Sequence, residues 1–179
     1  MDQSKVSRSR YDGEITLRDG TTAQIRPARP KDRAQIDAFY AGLSDQSVYL
    51  RFHRHLDEAP ADEIRDEVEP DFVDKFTLVA IHEGRIIAVG TCERLSGQPE
   101  KAGLAFTVED SHQGQGVATH LLNRLAAIAC DNGIEWFGAD VLAENQAMID
   151  VLHESGYPLQ STLKFGVIHV TFPVGDNRP

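Results

Sequence analysis

A chain that runs "AFTVEDSHQGQGVATHLLNRL" from Ala105 to Leu125 has little freedom in how it folds. "AFTV" reads as a strand and "EDSHQ" as a polar loop, and an apolar helical pattern starts at once behind Gly114 and Gly116. A side chain at either glycine would obstruct close approach to the backbone. The helix that follows offers unpaired N–H groups and the positive end of its dipole. Together these make a site for a phosphate or pyrophosphate, with no basic side chain required. An ordinary glycine-rich loop leading into a helix has the same spacing, so the glycines alone do not define a chemistry.

The flanking segments set the context. "EITLRDGTTAQIRPA" is a hairpin turning at Asp19-Gly20. Pro30 opens a helix with Ile36, Phe39, Tyr40 and Leu43 on one face, and Ser44 caps a second carrying Val48, Tyr49 and Phe52. "HRHLDEAPADEIRDEVEPDF" reads as a short exposed helix between loops, and the acidic stretch from Asp57 to Asp74 as solvated or as a surface for a basic partner protein. "KFTLVAIHEGRIIAVGTCERL" turns at Glu83-Gly84, "SGQP" turns again, and "AGLAFTV" returns as a third antiparallel strand. Behind the glycines a helix carries Leu121, Leu122, Leu125 and Ile128 and stops at Gly133. A strand opening at Trp136 and Phe137, a helix capped by Asn145 and ended by Gly156, and strand material in "LKFGVIHVTF" complete the order. The prediction is one α+β domain over 13–174 around a mostly antiparallel sheet, with a flexible leader over 1–12 and a tail over 175–179.

Several classes are excluded. A formal net charge of −10 argues against a nucleic-acid-binding surface. No uninterrupted apolar run of about 18 residues is present, and "MDQSKVSRSRYDG" lacks the apolar centre of a secretory signal. Cys92 and Cys130 stand far apart without metal-ligand spacing, so buried free thiols, no metal and a cytoplasmic setting are expected. A Walker loop fails because no Lys-Ser or Lys-Thr pair follows the glycines. A dinucleotide fingerprint fits better at first, with Thr119 in the third glycine's place and Asp140 near the ribose-binding distance. Its glycines should follow a strand directly inside a parallel βαβ unit, whereas here "EDSHQ" intervenes behind a meander.

"VEDSHQGQGVATHLL" resembles the acyl-CoA-binding motif of the GCN5-related N-acetyltransferases, with Gln113, Gly116 and Ala118 in register. "ENQAMIDVLHESGYP" is similar to that family's later Asn-containing helix, and the element order agrees from about Ile15 to Phe172. The resemblance implies the family's fold, a sheet with a splayed strand pair that holds acetyl-CoA. Gln113, Gly114, Gln115, Gly116, Val117, Ala118 and Thr119 would then wrap the pyrophosphate. Phe106, Thr107 and Val108 would offer backbone to pantetheine, Val108 would donate to the oxyanion, and Asn145 would contact the cofactor or cap its own helix. "LRDGTTAQIRPARPKDR", "LSDQSVYLRF" and "LAFTVEDSHQGQGVAT" further resemble bacterial protein lysine acetyltransferase domains that act on acyl-CoA synthetases.

Transfer to a lysine needs the amine deprotonated, because its ordinary pKa is about 10.4. The lysine-acetylating group places a Glu where this chain has Gly103, and many relatives place a thiolate-protonating Tyr where it has Leu152. Glu93 on the neighbouring strand and Glu100 at the hairpin's end are the candidate substitutes. In a regular hairpin Cys92 lies across from Gly103 and Glu93 points to the other face. Glu109, His112, His153 and the "RFHRH" run from Arg51 to His55 read as surface or helix-end residues. An acyl-CoA-binding regulatory module and an acetyltransferase for a small-molecule amine are the alternative expectations.

Overall fold

The computed structural model describes residues 10–56 and 60–175. The greater part of the expected leader, residues 57–59 of the acidic stretch and residues 176–179 of the tail lie outside them. The strands are β1 (Gly13–Thr16), β2 (Thr22–Pro27), β3 (Lys75–His82), β4 (Arg85–Leu95), β5 (Gln98–Val108), β6 (Trp136–Leu142), β7 (Gln160–Lys164) and β8 (Val167–Pro173). The helices are α1 (Arg33–Ala41), α2 (Asp45–Phe52), α3 (Ala61–Val68), α4 (Val117–Asp131) and α5 (Gln146–Glu154). Short 3-10 turns cover Pro30–Asp32 and Asp110–His112.

All eight strands join one sheet in the order β1-β2-β3-β4-β5-β6-β8-β7. Every pairing is antiparallel except β5 with β6, which run parallel. One face packs under α4, where Leu121, Leu122 and Leu125 meet Ile25, Leu78 and Phe106. The other face carries Ile36, Phe39, Tyr40, Val48 and Ile64 of α1, α2 and α3 against Val79 and Val89. The expected caps form: Ser44 accepts from the Ser47 amide, and Asn145 from the Met148 amide at 3.1 Å. Tyr11, inside the expected leader, donates to Asp131 of α4 at 2.5 Å.

Two features of the sheet position everything that follows. The parallel ladder between β5 and β6 covers only Lys101–Gly103 against Trp136–Gly138, and beyond it the strands part. The Glu109 amide donates to Ile87 across the β4 side. Backbone groups alternate sides along a strand, so Phe106 and Val108 turn theirs into the split.

The second feature corrects the expected register. Glu93, not Cys92, lies opposite Gly103. The pairing jumps from Leu95↔Gln98 to Arg94↔Ala102, looping out Pro99, Glu100 and Lys101. Pro99 has no N–H for the ladder, and Arg94 instead donates its side chain to the Pro99 carbonyl. The bulge moves Glu93 onto Gly103's face.

Candidate functional site

The glycine loop is built by local chemistry. Gly114 and Gly116 adopt φ of 73° and 87°, left-handed values that a side chain strains. A Cβ at Gly114 would meet no heavy atom within 4 Å, so its glycine surface is bare. Gly116 is the N-cap of α4 and provides no side-chain cap, leaving first-turn amides to face outward. A brace holds the loop from below: Asp110 accepts from Ser44 Oγ at 2.6 Å and Ser47 Oγ at 2.8 Å, while Gln113 donates to Ser47 Oγ and the Val108 carbonyl. Burial acts to raise the Asp110 pKa, but the serine bonds outweigh it and hold the carboxyl below the ordinary range. Arg18 reaches in from the first hairpin turn to donate to the Gly114 carbonyl at 3.1 Å.

A cleft of about 280 Å³ lies in front of this loop, bordered by Thr107, Val108, Gln113, Gly116, Thr119 and Arg18. Thr107 Oγ1 is buried in its wall and has no hydrogen-bond partner among the described residues. Bare glycines, uncapped amides, a nearby guanidinium and an orphaned hydroxyl fit a phosphate-bearing ligand with a polar arm. Gln115 turns away, its side-chain carbonyl accepting from the Asp19 amide. The Phe106 ring packs onto Gly90 in the core, leaving its backbone to the cleft. Asn145 caps α5 and also borders the cleft.

A larger groove of about 910 Å³ adjoins it, sharing Arg51, Phe106, Asn145 and Met148 as common walls. Its floor is a cross-strand row reading Lys75, Glu93, Gly103, Gly138, Thr171. Added Cβ atoms at Gly103 and Gly138 would meet nothing closer than 3.8 Å and 4.0 Å, so the row has a bare centre. Glu93 stands on one flank, paired with Lys75 at 3.7 Å. Glu100 sits in the bulge and does not border the groove. Leu152 is buried and brings no hydroxyl. On the far flank Asp140 and His169 are joined at 2.6 Å, and His53 closes the end from α2. Burial lowers the His53 pKa below the usual imidazole range, opposed by Asp140 and reinforced by Arg51.

Glu109 is tied to Arg85 and His112, away from the groove. Cys92 is buried, which pushes its thiol up to about 12, and Cys130 donates to the Val174 carbonyl. Among the described residues no group of three or more His, Cys, Asp or Glu could hold a metal ion. No described helix is long and apolar enough to cross a membrane. The sequence pattern does not reveal Arg18, Ser47, the unpartnered hydroxyl of Thr107 or the Asp140–His169 pair. Only Ser47 left a trace, as the residue whose amide a Ser44 cap bonds.

Residues 36–157 match the acetyltransferase (GNAT) family model. The chain is 28% identical over 160 residues to acetyltransferase Pat of Mycolicibacterium smegmatis, covering 85% of this chain and 47% of that protein. It therefore spans about half that relative's length. An acetyltransferase of Pseudomonas aeruginosa is 31% identical over 150 residues, 79% of this chain and 78% of its own. Among solved structures, the GNAT domain of S. lividans PAT superposes with a TM-score of 0.85 at 35% identity, covering 92% of this chain and 98% of that one.

Proposed function

This chain belongs to the acetyltransferase (GNAT) family, and we propose that it moves an acetyl group from acetyl-CoA to a protein lysine, such as one on an acyl-CoA synthetase. The observation that carries this reading is the shared wall between the two cavities. A donor lying in the cleft would present its thioester where β5 leaves β6, and an amine in the groove would meet it there. Bound there, acetyl-CoA supplies an activated acyl group.

The residues divide the work by their chemistry. Gln113, Gly114, Gln115, Gly116, Val117, Ala118 and Thr119 form the loop and first helical turn for the pyrophosphate. Phe106 and Val108 give the pantetheine arm the free edge of β5, while Thr107, whose backbone faces β4, adds its Oγ1 as a polar contact. The Val108 N–H, turned into the split, suits the oxyanion that forms when an amine adds to the thioester carbonyl. Asn145 serves the helix first, through its cap, and borders the cofactor second. The segments that resemble protein lysine acetyltransferase domains, in a chain similar to Pat acetyltransferases, support a protein acceptor.

The test is acetyl transfer to an acyl-CoA synthetase, read by mass spectrometry, with wild type and Gly103→Glu side by side. Wild type is expected to acetylate a lysine. Transfer by Gly103→Glu alone would recast the native chain as an acyl-CoA-binding regulator. That second reading is favoured by one observation: neither Gly103 nor Leu152 carries a group that can move a proton. Silence from both proteins, with acetyl-CoA still bound, would overturn lysine transfer.

A further inference from the structure

We propose that His169, oriented by Asp140, is the proton acceptor of the groove and replaces the carboxylate for which Gly103 has no side chain. The proposal rests on the acetyl-transfer reading. Its ground is the placement of the pair. Gly103 and Gly138 are partners across the short parallel ladder. Strand side chains alternate with period two and rise about 3.3 Å per residue. Asp140 therefore stands on Gly138's face, roughly 6.6 Å further along the arm that leaves β5. His169 is its direct cross-strand partner on β8. Two adjacent strands thus hold the pair in fixed register at the rim of the bare glycine floor.

The contact fixes the chemistry. His169 Nδ1 lies 2.6 Å from Asp140 Oδ1, so Nδ1–H donates to the carboxylate and Nε2 keeps the free lone pair. The His169 side chain is 46% exposed and lines the groove. The competing carboxylates lining the groove are held by cations: Glu93 by Lys75 and Glu63 by Arg54. His53 lines the same end, where burial lowers its pKa below the usual imidazole range.

In the step, Nε2 takes one proton from the lysine ammonium and later passes it to solvent. The freed amine forms the C–N bond at the thioester carbonyl, and the C–S bond breaks. The second proton of the amine goes to the departing thiolate, so one amide, one thiol and one released proton balance the reaction.

The experiment measures His169→Gln, Asp140→Asn and Glu93→Gln for lysine-peptide acetylation, with CoA affinity by calorimetry and folding by thermal melts. His169→Gln is expected to lower kcat by roughly 10²- to 10⁴-fold, the usual share of a positioned base, with CoA affinity unchanged. Added imidazole should restore turnover to His169→Gly, which a purely structural role would not allow. Asp140 is a positioning residue, and its own signature is an NMR one. The downfield, charge-assisted Nδ1–H resonance of His169 should move upfield in Asp140→Asn, where a neutral amide oxygen replaces the carboxylate, independent of turnover. If wild type transfers acetyl and His169→Gln keeps kcat within about twofold, or Glu93→Gln takes the loss instead, the dyad is wrong and the transfer reading stands. If wild type binds acetyl-CoA but acetylates no peptide, both fall together.

Discussion

Arg18 donates its guanidinium to the Gly114 carbonyl at 3.1 Å, so the turn of the first hairpin carries part of the glycine loop. The bond is reinforced by the Arg18 amide donating to Gln115 and by Gln115 accepting from Asp19. These contacts tie the loop to an element 96 residues away. They order the loop before any anion arrives, which lowers the conformational cost of binding.

Arg18→Ala should therefore weaken acetyl-CoA binding without changing the chemical step. A bond of this kind is worth about 0.5–1.5 kcal/mol, or roughly a 2- to 10-fold rise in Kd. Calorimetry with CoA and a kcat measured at saturating acetyl-CoA separate the two effects. The salt bridge of Arg18 to Glu154 is exposed on both sides and adds little.

Gly116 and Gly84 offer a matched comparison, because both hold left-handed φ, 87° and 78°, but only Gly116 borders the cleft. Alanine at either position costs about 1–2 kcal/mol of backbone strain. Gly116→Ala is expected to lose both that stability and about 10-fold or more in CoA affinity, equivalent to about 1.4 kcal/mol. Gly84→Ala is expected to lose stability alone. Denaturant unfolding and CoA titration on the same two variants decide it.

How much of this was legible follows from how local each feature is. The turns at Asp19-Gly20 and Glu83-Gly84, the caps at Ser44 and Asn145 and the glycines before α4 are settled by neighbours within four residues, and the structure has them where the patterns point. The β4–β5 register was not legible, because Pro99 forces a three-residue bulge whose size depends on what Arg94 and β6 do around it. By its spacing Asp140 reads only as a ribose-binding acid, and His169 as part of a closing strand. Nothing local marks them as a pair, since 29 residues separate them and only the β6–β8 register brings them together. The bracing of Gln113 by Ser47 spans 66 residues and is equally silent in the pattern.

Away from the site, the fold should show an acid sensitivity traceable to Asp32. Burial acts to raise its pKa, but Arg26 and the Arg29 amide outweigh that and hold it below the ordinary carboxylate range. Arg26 grips it with two bonds, at 2.6 and 2.8 Å, and both side chains are buried. The folded state thus binds this proton less readily than the unfolded chain does. Its stabilisation is fully present above the unfolded value of about 3.9 and disappears as pH falls through the lower folded pKa. Asp32→Asn leaves Arg26 buried without a counter-charge and should cost about 3–5 kcal/mol at neutral pH, a Tm drop of roughly 6–20 °C for a chain of this size. Below the folded pKa of Asp32 the wild-type carboxyl is itself neutral, so the two proteins should converge in stability. Thermal melts of both from pH 7 down to about pH 2 check the prediction, and a gap that stays constant across that range would remove Asp32 as its source.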